Sequence, residues 1–362
     1  MTLSDAAGNF RNNNFDFIRF IAACSVFVSH AILLGGLKEP VLIQGVVLGG
    51  LGVLVFFSVS GFLVARSWER HPRLVAFMGK RILRIFPGLF VCTVFTVFLI
   101  GPLFTGMSLF AYLGAPNTMN YFDTLYLVSF SPSYLPGVNF YGSLPFTVNA
   151  SLWTLKYEML AYSGLALTAM IWATRRRRGV IVDFGTILIC YFFLNLLIHW
   201  VPFTFHDFTL FYMVRFSAFF AAGTLFYTYR KVIPYSGWWA ILAIISYAMT
   251  RFLPTLEPYI GFIAIPYTIL YLAFIPTQFI KKFGRYGDFS YGIYIYGWPV
   301  EQVVVGMFHG AVGPYKLFAV AFPLVLGLAA LSWHLVEKPA LKLRRHLSEP
   351  RYPIDARLGK SA

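Results

Sequence analysis

Residues 15–37 read FDFIRFIAACSVFVSHAILLGGL, an apolar run interrupted by the ionisable residues Asp16, Arg19 and His30. About 20 such residues cross the roughly 30 Å hydrocarbon core of a bilayer as an α-helix. A charged side chain inside a membrane helix costs about 2.5–3.5 kcal/mol on insertion scales, so such residues are candidates for function. The stretch therefore predicts a membrane helix that carries part of a functional site.

The composition extends this prediction to the whole chain. Of its 362 residues, 58% are hydrophobic and 12% charged, and the mean hydropathy is +0.69, which is typical of a polytopic membrane protein. The net charge of +15 falls in short clusters between apolar runs, so no nucleic-acid partner is expected. Cys24, Cys92 and Cys190 lie within apolar runs, and no disulfide is expected. The first run is too long and too polar for a cleavable signal peptide.

The apolar runs predict an all-α protein with about ten transmembrane helices in the inner membrane. Basic residues should collect in cytoplasmic loops, and they do so if both termini lie inside, with the run Arg175–Arg178 in one inner loop. We expect a cytoplasmic segment at 1–14, a membrane domain at 15–336 and a basic, partly disordered tail at 337–362. The expected spans lie near 15–37, 43–66, 85–106, 152–172, 181–201, 209–229, 236–253, 259–280, 289–309 and 315–336.

The expected outer loop at 107–150 is much longer than the others, rich in aromatic residues and free of Lys and Arg. Loops longer than about 15 residues in a compact protein are usually functional or disordered. The aromatic content favours a packed lid with stacking surfaces for a sugar. A loop whose Tyr and Phe rest among lipid headgroups explains the same composition.

A stripe of ionisable residues follows one face of the first expected helix. At 100° per residue, the step from Arg19 to His30 rotates the chain about 20° beyond three full turns, so both side chains share a face about 16 Å apart along the axis. Asp16 lies on the same stripe and is expected to neutralise Arg19.

His30 lies at about the same expected depth in the membrane as three residues of other helices. His30, Glu158, Arg215 and Glu301 each fall about 9–12 Å below the expected outer surface. This layer predicts a polar cavity that opens outward. Other interpretations stay open: His30 as a structural histidine, Glu158 with Arg215 as a structural ion pair, and Glu301 facing an aqueous vestibule. Lys156, near the surface, can extend its amine outward.

Arg81 and Arg84 lie one helical turn apart in the segment KRILRIFP, on the expected cytoplasmic side. Two guanidinium groups at this spacing form a good phosphate site, although they also serve as simple topology signals. The sequence contains no CxxC, HExxH, P-loop, GxSxG or dinucleotide motif, so neither a metal nor a permanently bound cofactor is expected.

Several motifs, in order, resemble the membrane acyltransferase-3 family of bacterial O-acyltransferases. Arg19 and His30 match its arginine, ten residues, histidine pattern, and Gly297 departs from it, since many relatives have a histidine there. An additional extracytoplasmic esterase-like domain found in some relatives is not expected here. The other matching residues are Phe56, Phe57, Ser60, Gly61 and Phe62; Arg81 and Arg84; Ser151, Leu152, Trp153 and Glu158; and Glu337, Lys338 and Pro339.

The resemblance implies transfer of an acyl group, usually acetyl, from cytoplasmic acyl-CoA to a hydroxyl of an extracytoplasmic or lipid-linked carbohydrate such as exopolysaccharide or O-antigen. His30 would act as general base and Glu158 would orient it. Arg19 or Arg215 would stabilise the oxyanion, and an acyl-His30 intermediate is the competing mechanism. The expected donor site is Arg81, Arg84 and Ser60, and the expected acceptor site is Trp153, Arg215 and Glu301.

Two functions of other classes also explain ten helices with buried charges. A glycoconjugate transporter or flippase needs both, but no inverted repeat is detectable in the sequence. A non-enzymatic scaffold gives no reason for Asp16, Arg19 and His30 to share one stripe.

Overall fold

A computed structural model describes residues 1–8, 10, 13–43, 45–127, 134–141, 144, 147–172, 176–198 and 205–348. The protein is an all-α polytopic membrane protein with one small hairpin of strands β1 (Val41–Ile43) and β2 (Val46–Val47). The run Arg175–Arg178 is described only from residue 176, and the tail beyond Ser348 lies outside the described residues. The helices are α1 (Leu3–Ala7), α2 (Phe15–Leu34), α3 (Leu48–Arg70), α4 (Leu74–Phe95), α5 (Gly101–Phe104), α6 (Leu109–Gly114), α7 (Pro116–Asn120), α8 (Leu155–Ile171), α9 (Arg176–Ile198), α10 (Phe205–Thr228), α11 (Gly237–Met249), α12 (Glu257–Phe274), α13 (Ser290–Met307), α14 (Pro314–Ser332), α15 (Lys338–Lys342) and α16 (Arg344–Ser348).

Short π and 3₁₀ segments join or extend several of these helices. A π segment at Thr96–Ile100 joins α4 to α5, and another at Trp333–Glu337 joins α14 to α15. As a result, α4 with α5 and α14 with α15 form long continuous helical stretches. The 3₁₀ turns lie at Tyr121–Tyr126, Ala150–Thr154, Thr250–Phe252, Pro254–Leu256 and Ile280–Arg285.

Seven helical stretches of the described chain are long and apolar enough to cross a membrane. The other expected spans coincide with α8, α11 and α13, which are 17, 13 and 18 residues long. The count of ten and the orientation stay predictions. The seven stretches are Phe15–Leu34, Leu48–Arg70, Leu74–Phe104, Arg177–Leu197, Thr209–Thr228, Pro254–Phe274 and Pro314–Lys342.

Helices α3 and α10 pack closely because glycines meet across their contact. A Cβ on Gly61 would lie 1.9 Å from the carbonyl oxygen of Phe220, and one on Gly223 would lie 2.2 Å from that of Ser58. Small residues allow membrane helices to approach closely, and the resulting van der Waals contact drives their association. The segment Ser60–Phe62, which matches the family pattern, is therefore a packing motif in this fold.

Helix α13 lies in the interior of the bundle against α2 and α14, with nearly all its residues buried. The end of the long predicted loop runs along it. Gln302 donates hydrogen bonds to the carbonyl oxygens of Leu144 and Thr147, at 2.8 and 2.9 Å. Further along α13, Asn149 donates to the carbonyl oxygen of Ile295 at 2.9 Å, and the hydroxyls of Thr154 and Tyr294 lie 2.5 Å apart.

These contacts carry the chain two turns along α13, or about 12 Å, before α8 begins. Helix α8 therefore begins inside the bundle, which explains its short length. The described part of the preceding loop also packs, since Tyr112, Tyr121, Leu135 and Phe140 belong to a separate buried cluster.

Candidate active site

The ionisable residues of α2 face two cavities at different depths. Asp16 and Arg19 line a cavity of about 320 Å³, and His30 lines another of about 190 Å³. We call the first the basic cavity, because arginines from several elements line it. Its charged lining residues are Asp16, Arg19, Arg81, Arg84, Glu158, Asp288 and Arg344. We call the second the histidine cavity; its polar and aromatic lining includes His30, Glu39, Ser151, Trp153, Tyr212, Arg215 and Tyr294.

Asp288 is the centre of an ion-pair network in the basic cavity. One of its carboxylate oxygens lies 2.5 Å from Arg19 Nη1 and 2.5 Å from Arg84 Nη2, and Arg84 Nη1 lies 3.4 Å from Glu337. Burial alone would raise the pKa of Asp288, but the charges of Arg19 and Arg84 outweigh it and hold the pKa below its usual value. The network joins α2, α4, the residues just before α13 and the π segment that follows α14.

The structure corrects the expected neutralisation of Arg19 by Asp16. Arg19 pairs with Asp288 instead. The carboxylate of Asp16 lies against the backbone of Gly284, where an added Cβ would be 2.0 Å from Asp16 Oδ2. Although Asp16 and Arg19 are three residues apart on one helix, the ion pair of Arg19 is therefore formed with Asp288 from another part of the fold.

Glu158 also lies in the basic cavity, which contradicts its expected place beside His30. Ser60 donates a hydrogen bond of 3.3 Å to Glu158 Oε1, and Tyr162 donates to the same oxygen. Arg81 donates to Ser67 Oγ at 3.2 Å. The depth estimate for Glu158 failed because it placed the start of the helix at the membrane surface, whereas α8 begins inside the bundle.

The carboxylate beside His30 belongs to Glu301. Its Oε2 lies 3.9 Å from His30 Nδ1, and its side chain is 0% exposed. Neither carboxylate oxygen accepts a hydrogen bond from the described residues. The edge of the His30 ring meets Trp298 with the centroids 4.8 Å apart. Catalytic hydrogen bonds are often long before substrate binds, and His30 and Glu301 are close enough for an electrostatic interaction.

Arg215 and Trp153 share the histidine cavity with His30, as the sequence predicts. The ion-pair partner of Arg215 is Glu257, at 3.5 Å, rather than Glu158. Tyr247 donates a 2.8 Å hydrogen bond to the other carboxylate oxygen of Glu257. Trp153 is 39% exposed and offers aromatic surface.

A thin wall separates the two cavities. Tyr291 lines the basic cavity, whereas Tyr294, three residues and about 4.5 Å further along α13, lines the histidine cavity. The Tyr294 hydroxyl is hydrogen-bonded to Thr154, and its ring meets the edge of Phe56 at 5.8 Å. We call Phe56, Thr154 and Tyr294 the partition.

Sequence reasoning missed Glu39, Glu257, Asp288 and Arg344. Glu39, Glu257 and Asp288 each lie one or two residues outside an expected span and so read as loop residues, and Arg344 lies in the expected tail. The proline after Glu257 marks a helix start, where an acid is favourable; no such signal distinguishes Arg344 from its neighbours. Among the described residues, no cluster of histidine, cysteine and acidic residues is suited to a metal ion.

Comparison with known proteins gives a consistent result. A family model described as an acyltransferase domain matches residues 12–335. An O-acetyl transferase of Shigella phage Sf6 is 31% identical, with 95% of this chain and 99% of the phage protein aligned. Nodulation protein 10 of Rhizobium leguminosarum bv. viciae is 29% identical over 94% of this chain and 96% of that protein. No solved structure gives a significant match.

Proposed function

Because the chain belongs to the family of the acyltransferase domain, we propose that it transfers an acetyl group from acetyl-CoA to a carbohydrate hydroxyl. The family and the phage relative support O-acyltransferase activity of a multi-pass membrane protein. The donor, the acceptor and an inner-membrane location are our proposals. One observation carries them: helix α2 places His30 in one cavity, with the buried Glu301 of α13 beside it, and Arg19 in another.

In this proposal His30 acts as general base in the histidine cavity. Its imidazole takes the proton of the acceptor hydroxyl while the hydroxyl oxygen attacks the thioester carbonyl, a role typically worth 10²–10⁴-fold in rate. The tetrahedral intermediate then expels the CoA thiolate, which takes the proton from the imidazolium. Glu301 lies beside Nδ1 and stabilises the imidazolium that forms.

The remaining predicted residues divide between donor and acceptor. Arg215 and Trp153, both in the histidine cavity, serve the acceptor, and Arg215 has further N–H donors for the oxyanion. Arg19 is assigned to the donor side, because it lies in the basic cavity with Arg81 and Arg84. Ser60 and Glu158 line that cavity too, so their role is to shape the donor site.

The geometry also supports a route by which donor and acceptor would meet. The basic cavity lies at the predicted cytoplasmic side, where CoA is available. The partition between the cavities is about one helical turn thick along α13. A movement of the partition side chains would let the acyl end of the donor arm reach His30 while the nucleotide stays in the basic cavity.

Acetylation of surface glycans tests the proposal. The O-acetyl content of purified glycans should fall when the gene is deleted and return with the wild-type gene. His30→Ala should fail to restore it, whereas His71→Ala, a change at an exposed histidine outside both cavities, should restore it fully. Equal restoration by His30→Ala at equal protein level would contradict the catalytic assignment.

Labelled donor distinguishes the two mechanisms. Purified protein is mixed with [¹⁴C]acetyl-CoA without acceptor, denatured at neutral pH and analysed for bound label. Label lost in His30→Ala but present in His71→Ala would favour an acyl-His30 intermediate. An unlabelled protein that nevertheless transfers acetyl groups when acceptor is added supports direct transfer.

A further inference from the structure

Arg344, in the short helix α16, lines the basic cavity together with Arg81 of α4. Helix α16 packs against α4 near Arg81: a Cβ on Gly79 would lie 2.8 Å from Leu347 Cδ1. The guanidinium group of Arg344 is therefore held at the cavity by contacts of its own helix. Its neighbour Arg345 is exposed and does not line the cavity.

The arginines of the basic cavity fall into two groups. Arg19 and Arg84 share the carboxylate of Asp288, so their charges are already compensated within the fold. Arg81 forms no carboxylate ion pair among the described residues, and its hydrogen bond goes to the neutral hydroxyl of Ser67. The carboxylate of Glu158 lines the same cavity but forms no ion pair with Arg81, so of the two arginines on α4, Arg81 is the one not held by a carboxylate within ion-pair distance.

Like charges converge where Arg344 approaches α4. Burial first, and then the guanidinium groups of Arg81 and Arg84, lower the pKa of Arg344 to about 10. It remains charged at neutral pH. An anion bound between Arg81 and Arg344 would receive charge-assisted hydrogen bonds from both guanidinium groups.

The direction of the helices places this pair at the entrance of the cavity. Arg81 precedes Arg84 by one turn, nearer the end where α4 begins, and α16 follows the end of the last membrane stretch. The Asp288 network lies deeper, toward His30. A donor whose acyl end points to His30 therefore has its phosphates at the entrance.

We propose that Arg344 and Arg81 together bind the phosphate groups of the CoA donor, with α16 forming one wall of the donor site. This inference rests on the proposed function for the identity of the donor. It adds Arg344 to the donor site and gives Arg81 and Arg84 different roles: Arg81 binds phosphate, whereas Arg84 holds the ion-pair network. Planar guanidinium groups suit phosphate because they donate in pairs.

Equilibrium binding of CoA to the purified full-length protein in detergent, followed by calorimetry, tests this assignment without turnover. Arg344→Gln should weaken CoA binding about tenfold, the loss expected for a charge-assisted contact. Arg345→Gln removes the same charge from the same helix but outside the cavity, and should change affinity by less than about twofold. Equal affinities of Arg344→Gln and wild type would overturn the proposal, as would equal losses in both variants.

Binding of inorganic pyrophosphate distinguishes a failure of this inference from a failure of the proposed function. Wild-type protein that binds inorganic pyrophosphate in an Arg344-dependent way, but not CoA, would support the phosphate site and remove the proposed donor. Binding of neither would overturn both. If Arg344→Gln fails to fold, Arg344→Lys takes its place. This variant keeps the positive charge but loses the planar guanidinium group, and it should still weaken CoA binding about threefold. Unchanged affinity would contradict the site.

Discussion

Replacing Glu301 with glutamine tests the catalytic geometry most directly. The carboxylate lies 3.9 Å from His30 Nδ1. At an effective dielectric constant of about 20, opposite charges at this distance attract by about 4 kcal/mol. The imidazolium exists only as the hydroxyl proton is transferred, so this energy lowers the barrier and not the ground state. At about 1.4 kcal/mol per tenfold, Glu301→Gln should lower kcat about 10³-fold with the acceptor KM little changed.

Stability provides the second measurement on the same variant. Glu301 is buried without a hydrogen bond to its carboxylate from the described residues. Burying a carboxyl group without a hydrogen-bond partner costs free energy, and the amide should leave the midpoint of thermal unfolding unchanged or higher. Low activity with undiminished stability identifies a functional residue, because replacing a structural residue would lower both the activity and the stability of the protein.

The assay is transfer from [¹⁴C]acetyl-CoA to the glycan acceptor, at saturating donor, with unfolding followed in the same detergent. Asp123→Asn, a carboxylate outside both cavities, is the control. A kcat within about threefold of wild type in correctly folded Glu301→Gln would refute the pairing with His30 as a source of catalysis. A loss confined to the acceptor KM would instead return Glu301 to the binding role that the sequence predicts.

The remaining predictions concern the scaffold. Asp288→Asn should lower the free energy of unfolding by about 3–5 kcal/mol, measured by denaturant titration, because Arg19 and Arg84 lose their shared partner; unchanged stability would contradict the network. Since the pKa of Asp288 is lowered on folding, its stabilisation is present above the usual pKa near 4 and is lost as pH falls below it, so unfolding midpoints of wild type should drop in acid and those of Asp288→Asn should drop less. Gly61→Ala should abolish stable folding or lower the unfolding midpoint strongly, because its Cβ would meet the Phe220 carbonyl at 1.9 Å; a wild-type midpoint would show that α3 and α10 do not pack as described.

Patterns within one helix were predictable from the sequence. The rotation between Arg19 and His30 depends only on helix geometry, and the two residues do lie on one helix about three turns apart, each facing a cavity. The all-α membrane fold followed from composition and apolar runs in the same way. These inferences hold because each depends on local geometry or on the hydrocarbon thickness alone.

Partners across helices were not predictable. Depth below the outer ends of the expected spans brings His30 and Glu301 together correctly, because both helices end close to where those spans end. It failed for Glu158, because the preceding chain enters the bundle along α13 before α8 begins. Asp288 was missed for a related reason: a residue just outside a span reads as a loop residue, although tertiary contacts bury it.

The partition has a consequence for the cell as a whole. A polar path through a membrane protein is also a path for protons and small ions, and an inner membrane stores energy as gradients of both. Among the described residues, the two cavities share no lining residue, and Tyr294 of the histidine cavity, hydrogen-bonded to Thr154 and packed against Phe56, lies one turn from Tyr291 of the basic cavity. A hydrogen-bonded hydroxyl pair flanked by an aromatic ring satisfies its polar atoms locally and leaves little room for a file of water. In the proposed function, this arrangement would let an acyl group pass from one cavity to the other without a continuous polar path for ions.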